Sequence, residues 1–205
     1  MSKQDETDST RNLYTVDSLL EICSKQVAGW IDEEHVRQIP EDLYESLQRW
    51  MTEDKQKQLF GEVKCWYTNG KLKNVKPWKD GQKHGTWTWF YENGQPLCIE
   101  KWNHGQRHGT WTWFYNNGQP KRIQQWNQGK QHATWQLFDT RGQTRQIKEW
   151  DQGKEHGTWQ WFYNNGQTKR IEKWDQGQQH GTCTEFDEHG QIDRIEQWNQ
   201  GHKLT

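Results

Sequence analysis

The chain is poor in the residues that build an ordinary core. Only 29% of its 205 residues are hydrophobic, and it has four prolines and two methionines. Leu, Ile and Val are too few for a conventional three-dimensional interior. No apolar run approaches the roughly 20 residues needed to span a bilayer, so stable membrane insertion is not expected. Excess charge is lacking too. The net charge is −1, which argues against a general binder of nucleic acid or of anionic membranes. The four cysteines, Cys23, Cys65, Cys98 and Cys183, show neither metal-ligand spacing nor a paired pattern. That implies a reducing, intracellular and cytoplasmic setting. The opening MSKQDETDST is polar throughout and has no secretory leader pattern. What the chain has instead is tryptophan, 16 in all. Large aromatics bury much area per residue, so a thin structure can still hold together.

The tryptophans follow a period. Residues 61–204 are one 24-residue unit written six times without insertion or deletion, starting at Gly61, Gly85, Gly109, Ala133, Gly157 and Gly181. Each copy solves the same structural problem, so the columns can be read against one another. One column is always aromatic (Trp66, Phe90, Phe114, Phe138, Phe162, Phe186). Another is always tryptophan (Trp78, Trp102, Trp126, Trp150, Trp174, Trp198), and a third is β-branched, from Val75 to Ile195. Two glycine columns, those of Gly94 and Gly105, never vary. A fixed period of this length marks a stacked array.

The glycines punctuate two strands per unit. Thr86–Tyr91 alternates Thr and Trp before Phe and Tyr, a strand pattern. Asn93-Gly94 supplies the positive φ angles of a two-residue hairpin turn. The return strand runs from about Leu97 to Trp102, and a second turn around Gly105 leads into the next unit. Six units predict roughly twelve antiparallel strands, extending on the order of 55–60 Å. The two-residue turn puts Trp89 opposite Cys98, Trp87 opposite Glu100 and Thr88 opposite Ile99. One face then carries Trp87, Trp89, Tyr91 and Trp102. A bulge would exchange part of that pattern between faces.

The pattern HGxWxxFYxNGQ…I…W…G resembles the variant MORN repeat and covers about 70% of the chain by its recurrence. The resemblance implies a mainly β fold: an elongated, single-layer antiparallel β-meander of hairpin repeats that serves as an interaction surface. It leaves the function open among bacterial antitoxin-like proteins, eukaryotic scaffolds and giant-virus proteins, including virion components. The copies differ in completeness. Repeat one has Val63 and Cys65 in place of Trp, repeat four has Ala133, Leu137 and Asp139, and repeat six has Cys183, Glu185 and Asp187. The full aromatic set is kept in repeats two, three and five: Trp87, Trp89, Tyr91; Trp111, Trp113, Tyr115; Trp159, Trp161, Tyr163. These nine residues are the candidate partner-binding face. The Trp102 column, invariant, is expected to be the packing core.

Residues 1–12 are polar and read as a disordered tail. Residues 13–60 read as a helical segment. Leu19, Ile22, Cys23, Val27 and Trp30 fall at helical spacing, and a second helix is expected from Pro40 through Leu43, Leu47 and Trp50, with a short charged stretch at Asp54–Leu59. Ser18–Val27 is similar to the adaptor-binding start of SOCS-box motifs, and Ile39–Leu47 to the LPxxL stretch of SOCS boxes and F-boxes. The resemblance implies that Leu19, Cys23 and Val27 would face elongin C or a Skp1-type adaptor. The alternative is a helical cap on the first hairpin.

Catalytic and metal chemistry find no support. The column His84, His108, His132, His156, His180 invites a metal, but equivalent residues in adjacent units lie two strands, ~10 Å, apart. Two zinc ligands must each lie near 2 Å from the ion, to within roughly a tenth of an ångström. These histidines are expected to hydrogen-bond the turn beside the following glycine. There is no nucleophile–base arrangement and no phosphate-cradling loop. Glu100, Glu149, Glu172 and Glu196 alternate with Lys101, Lys148 and Lys173, which predicts cross-strand charge pairs. Lys121, Arg122, Arg145, Lys169, Arg170 and Arg194 predict a basic strip along a solvated rim. The expectation is a protein with no cofactor, no metal and no enzymatic activity, binding another protein.

Overall fold

The structure, a computed structural model, describes Asp32 and residues 43–204. It comprises two compact units, Met1–Lys64 and Cys65–Thr205. In the first, helix α1 spans Tyr44–Gln48 and helix α2 spans Glu53–Phe60. The helix expected through Trp50 ends at Gln48, and the separate stretch expected at Asp54–Leu59 is α2. Thr52 adopts an extended conformation and its hydroxyl accepts the Lys55 N–H, so a new helix starts there. Gly61, at φ 65°, ends α2. Leu47 and Met51 are buried against Tyr44, Leu59 and Phe60. Gln56, also buried, donates to the Gln48 and Met51 carbonyls and accepts the Lys64 N–H. One side chain thus satisfies three backbone groups that an apolar residue would leave open. Among the described residues no helix is long and apolar enough to cross a membrane.

The second unit is β-sheet. The described strands form one open antiparallel sheet of 17 segments rather than twelve. The extra segments come from interruption. In repeat three, for example, the outgoing strand Gly109–Phe114 and the return strand Pro120–Asn127 are followed by a two-residue piece, Lys130–Gln131, before the next outgoing strand begins at Ala133. The break falls just before the first residue of the unit, which sits at positive φ (Gly85, Gly109 and Gly181, with Ala133 at φ 51°), whereas in repeat five the strand Lys154–Phe162 runs through Gly157 unbroken. Alanine in that conformation is strained by roughly 1–2 kcal/mol. Ala133→Gly should relieve it, offset by the greater freedom of glycine in the unfolded chain. The expected net gain is up to about 1 kcal/mol, read as a higher midpoint in thermal or urea unfolding.

The proposed pairing is present: Trp87 faces Glu100, Thr88 faces Ile99 and Trp89 faces Cys98. The turn that was to set it is different. Tyr91 N–H donates to the Gln95 carbonyl and Gly94 N–H to the Tyr91 carbonyl, which closes a three-residue loop, Glu92-Asn93-Gly94. Only Gly94 has positive φ; the Asn93 side chain instead accepts the Gln95 N–H at 2.9 Å. A three-residue loop alone would slip the pairing by one residue. A bulge between Trp89 and Phe90 slips it back. The two-residue turn with both residues at positive φ is the other one, His104-Gly105, between Asn103 and Gln106.

Adjacent units are joined by more than strand pairing. The Gly105, Gly129, Gly153, Gly177 and Gly201 N–H groups donate to the Lys83, Arg107, Gln131, Glu155 and Gln179 carbonyls of the preceding unit. On the other edge the Tyr67, Tyr91, Tyr115 and Tyr163 hydroxyls donate forward to the Phe90, Phe114, Phe138 and Phe186 carbonyls at 2.6–2.9 Å. Each unit is therefore pinned to its neighbour at both ends of its strands.

Candidate functional site

Period-two alternation puts Trp87, Trp89, Cys98, Glu100 and Trp102 on one face of the sheet. Within the sheet unit every fully buried side chain belongs to this face: Asn74, Trp87, Cys98, Trp111, Gln124, Trp159, Glu172 and Cys183. The face is covered by its own rings. Trp78, Trp87, Trp102, Trp111, Trp126, Trp135, Trp150, Trp159 and Trp174 form an unbroken ladder, each touching the next at centroid distances of 4.8–5.8 Å. Such tilted contacts are each worth ~0.5–1.5 kcal/mol beyond area burial. Side branches carry Trp89, Trp113 and Trp161.

The ladder corrects the assignment of the aromatic face. Trp87, Trp111 and Trp159 are 5%, 2% and 6% exposed, so they are core and offer no contact surface. Their indole N–H groups donate back to the Pro77, Lys101 and Glu149 carbonyls of the preceding unit. The Trp102 column is only half-buried. Trp102, Trp126, Trp174 and Trp198 stand opposite glycines and Trp150 opposite Ala133, which leaves one flank of these rings open. The hydroxyls of Tyr91, Tyr115 and Tyr163 are spent on inter-unit bonds. Trp89, Trp113 and Trp161 remain half-buried at the ladder's margin, available for contact.

Charges are threaded through the rings. Lys83 lies over Trp87 and Trp102 at 4.6 and 4.2 Å, and Arg107 over Trp111 and Trp126 at 4.7 and 4.6 Å. The expected basic strip is divided: Lys121 and Lys169 stack on Tyr115 and Tyr163, Arg122 on Trp113, and Arg170 and Arg194 pair with glutamates. Arg145 bonds Asp139. Among the described residues Lys148 and Lys173 form no cross-strand ion pair; Lys173 donates to the Thr158 hydroxyl. His132 and His156 face Asp151 and Asp175 at 3.7 and 3.4 Å rather than the following turn. Burial pushes the Cys98 thiol up to about 12, with Glu100 adding to the shift, which keeps it protonated and unreactive. No group of three His, Cys, Asp or Glu residues converges among the described residues.

Repeat four interrupts this surface. Leu137 stands where Trp89, Trp113 and Trp161 stand, and it is 37% exposed. The smaller side chain leaves a recess of about 270 Å³, whose walls include Arg122, Gln124, Trp135, Leu137, Lys148 and Trp150. Asp139 replaces the tyrosine, so its forward hydroxyl bond is lost. Arg145 takes over, bridging Asp139 and the Tyr163 carbonyl of repeat five. Desolvation resists ionisation of Asp139, but the Gln143 and Arg141 N–H groups and the Arg145 guanidinium hold its carboxyl down at about 2. A depressed carboxylate stabilises above its unfolded value and loses that contribution as pH falls through the folded one. Asp139→Asn is therefore expected to lower the melting temperature at neutral pH, with the difference shrinking from near pH 3.8 towards about 2.

A sheet of stacked hairpins pinned edge to edge, with one self-covering aromatic face, defines a β-array repeat protein whose units serve as interaction repeats. The chain belongs to the MORN repeat variant family, whose model matches residues 61–80, 83–104, 107–128, 155–176 and 179–200. The unmatched stretch within the array, residues 129–154, covers all but the last two residues of repeat four. The family match begins at residue 61, and the SOCS-box- and F-box-like resemblance before it is not shown. Leu19, Cys23 and Val27 lie outside the described residues. No curated protein matches the chain. Among solved structures, a TarM mutant from S. aureus in complex with Fondaparinux, alpha-GlcNAc-glycerol and UDP is similar at 11% identity and a TM-score of 0.32. That likeness covers 84% of this chain but 32% of the other, and at such a score it carries no argument.

Proposed function

We propose that the array is a non-enzymatic protein-binding module whose partner contacts the tryptophan face across repeats three to five. The observation that carries this reading is the recess at Leu137, flanked by the half-buried Trp113 and Trp161, on a face that elsewhere closes over itself. Half-buried tryptophans and arginines beside a concavity are the composition of interface anchors. The ligase-adaptor, scaffold and antitoxin readings all require a binding face of this kind, and the recess supports only that shared part.

The test is a selection of random peptides displayed on phage against the intact chain. Binders are then measured against Trp113→Ala and Trp161→Ala. Recovery of peptides that lose about tenfold or more in affinity on either change supports the reading, since that is ~1.4 kcal/mol, typical of an interface anchor. Failure to recover binders, or binders indifferent to both changes, overturns it.

A further inference from the structure

The glutamates of the tryptophan face have a repeated duty. Glu100 accepts the Trp102 indole N–H at 3.0 Å, Glu172 that of Trp174 at 2.9 Å, and Glu196 that of Trp198 at 3.3 Å. The same column holds Gln124 in repeat three and Lys148 in repeat four. There the carboxylate is gone, and the indole nitrogens of Trp126 and Trp150 are buried without a hydrogen-bond partner. Buried donors left open in this way are costly and uncommon.

The neighbouring cations are in the complementary condition. Arg170 and Arg194 each pair with two glutamates. Arg122, their equivalent in repeat three, lies over Trp113 at 4.0 Å, and Lys148 over Trp159 at 4.1 Å. Neither forms an ion pair with a described residue. Burial lowers the Lys148 ammonium, although Glu172 and Glu155 oppose the shift. Gln124, 6% exposed, makes no side-chain hydrogen bond among the described residues. Arg122, Gln124 and Lys148 all line the one recess. The array thus omits a carboxylate twice in succession, where it also leaves two cations unmatched and a space open.

We propose that the recess receives an acidic side chain, an aspartate or glutamate of a protein partner, between Arg122 and Lys148, with the adjoining apolar residue against Leu137 and Trp135. A carboxylate rather than another anion fits because three other repeats already seat one among equivalent rings. This inference rests on the protein-binding reading above and names the chemistry of the partner. Two charge-assisted contacts in a partly desolvated site supply the attraction, and tryptophan walls supply apolar area.

The experiment uses the displayed peptides and the intact chain. Recovered binders are expected to share an acidic residue next to an aliphatic or aromatic one. Replacing that acid by its amide in the synthetic peptide should cost about tenfold or more in affinity, in line with hydrogen bonds to charged groups. Lys148→Glu should cost as much, and Arg122→Gln should weaken binding in the same direction. Lys148→Glu is also expected to raise the melting temperature by a few degrees, because it returns an acceptor to Trp150. Loss of binding with a gain in stability separates a lost contact from a lost fold. Leu137→Trp, which restores the column of the neighbouring repeats, should block the recess without unfolding the array. Peptides that bind through Trp113 or Trp161 but tolerate both the amide and Lys148→Glu would overturn this inference and leave the protein-binding reading standing. Absence of any binder sensitive to Trp113 or Trp161 would overturn both.

Discussion

Replacing Trp111 by alanine is expected to cost about 3–5 kcal/mol, the range for a buried large aromatic whose neighbours cannot collapse into the space. Trp111 is 2% exposed and stands in the ladder between Trp102 and Trp126, at 4.8 and 5.8 Å. The change also strips the Lys101 carbonyl of an indole donor at 2.8 Å and Arg107 of one of its two rings. Trp113→Ala, two residues on, removes a half-buried ring with no indole hydrogen bond of its own and should cost about 1–2 kcal/mol. Because each unit touches only its neighbours, Trp111→Ala should loosen repeats two to four first. Hydrogen exchange would show that locality, and paired urea melts would show the difference in magnitude. Equal costs for the two variants would mean that the margin of the ladder is core as well.

Gly118→Val should cost about 2 kcal/mol or more, because a β-branched residue is forced into the left-handed region. Gly118 sits at φ 84°, and an added Cβ would come within 2.9 Å of the Gln95 side-chain oxygen of the preceding unit. Asn117 supplies the contrast. It has no positive φ; its side chain accepts the Gln119 N–H at 3.0 Å and donates to the Thr140 carbonyl at 2.8 Å. Asn117→Ala should therefore cost about 1 kcal/mol, the worth of exposed capping-type bonds. In a two-residue turn both positions would be left-handed and both replacements comparably severe. A thermal melt of each variant against wild type decides which turn is present in solution.

Much of the sheet was legible because its determinants are local. The 24-residue period, the two invariant glycines and the alternation of Thr and Trp locate strands and turns from short-range rules alone. The register at Trp87–Glu100 was also readable, although the reasoning behind it was incomplete. A loop one residue longer than expected and a bulge one residue deep offset each other, and only backbone geometry reveals either. The two short helices before the array were expected as separate stretches, but the first ends at Gln48 rather than Trp50, because apolar spacing alone does not mark where a helix stops.

Burial was not legible. Invariance suggested that the Trp102 column was the core and the more variable Trp87 and Trp89 columns the contact surface. The structure divides them differently. Trp87, Trp102, Trp111 and Trp126 all have ladder tryptophans on both sides, but Trp87 and Trp111 stand opposite Glu100 and Gln124, whereas Trp102 and Trp126 stand opposite glycines and keep an open flank. The recess likewise needed three departures to be seen together: Leu137 for tryptophan, Lys148 for glutamate and Gln124 for glutamate. They lie in different strands of two repeats and meet only across the sheet. By itself the sequence determined the period, the strand and turn positions and the family, since these depend on backbone preferences that each unit expresses alone. Only the tertiary structure decided which rings are core, which cations are unmatched and where the face stays open. Exposure and charge balance belong to the space between side chains of successive units, and that space exists once the units are stacked.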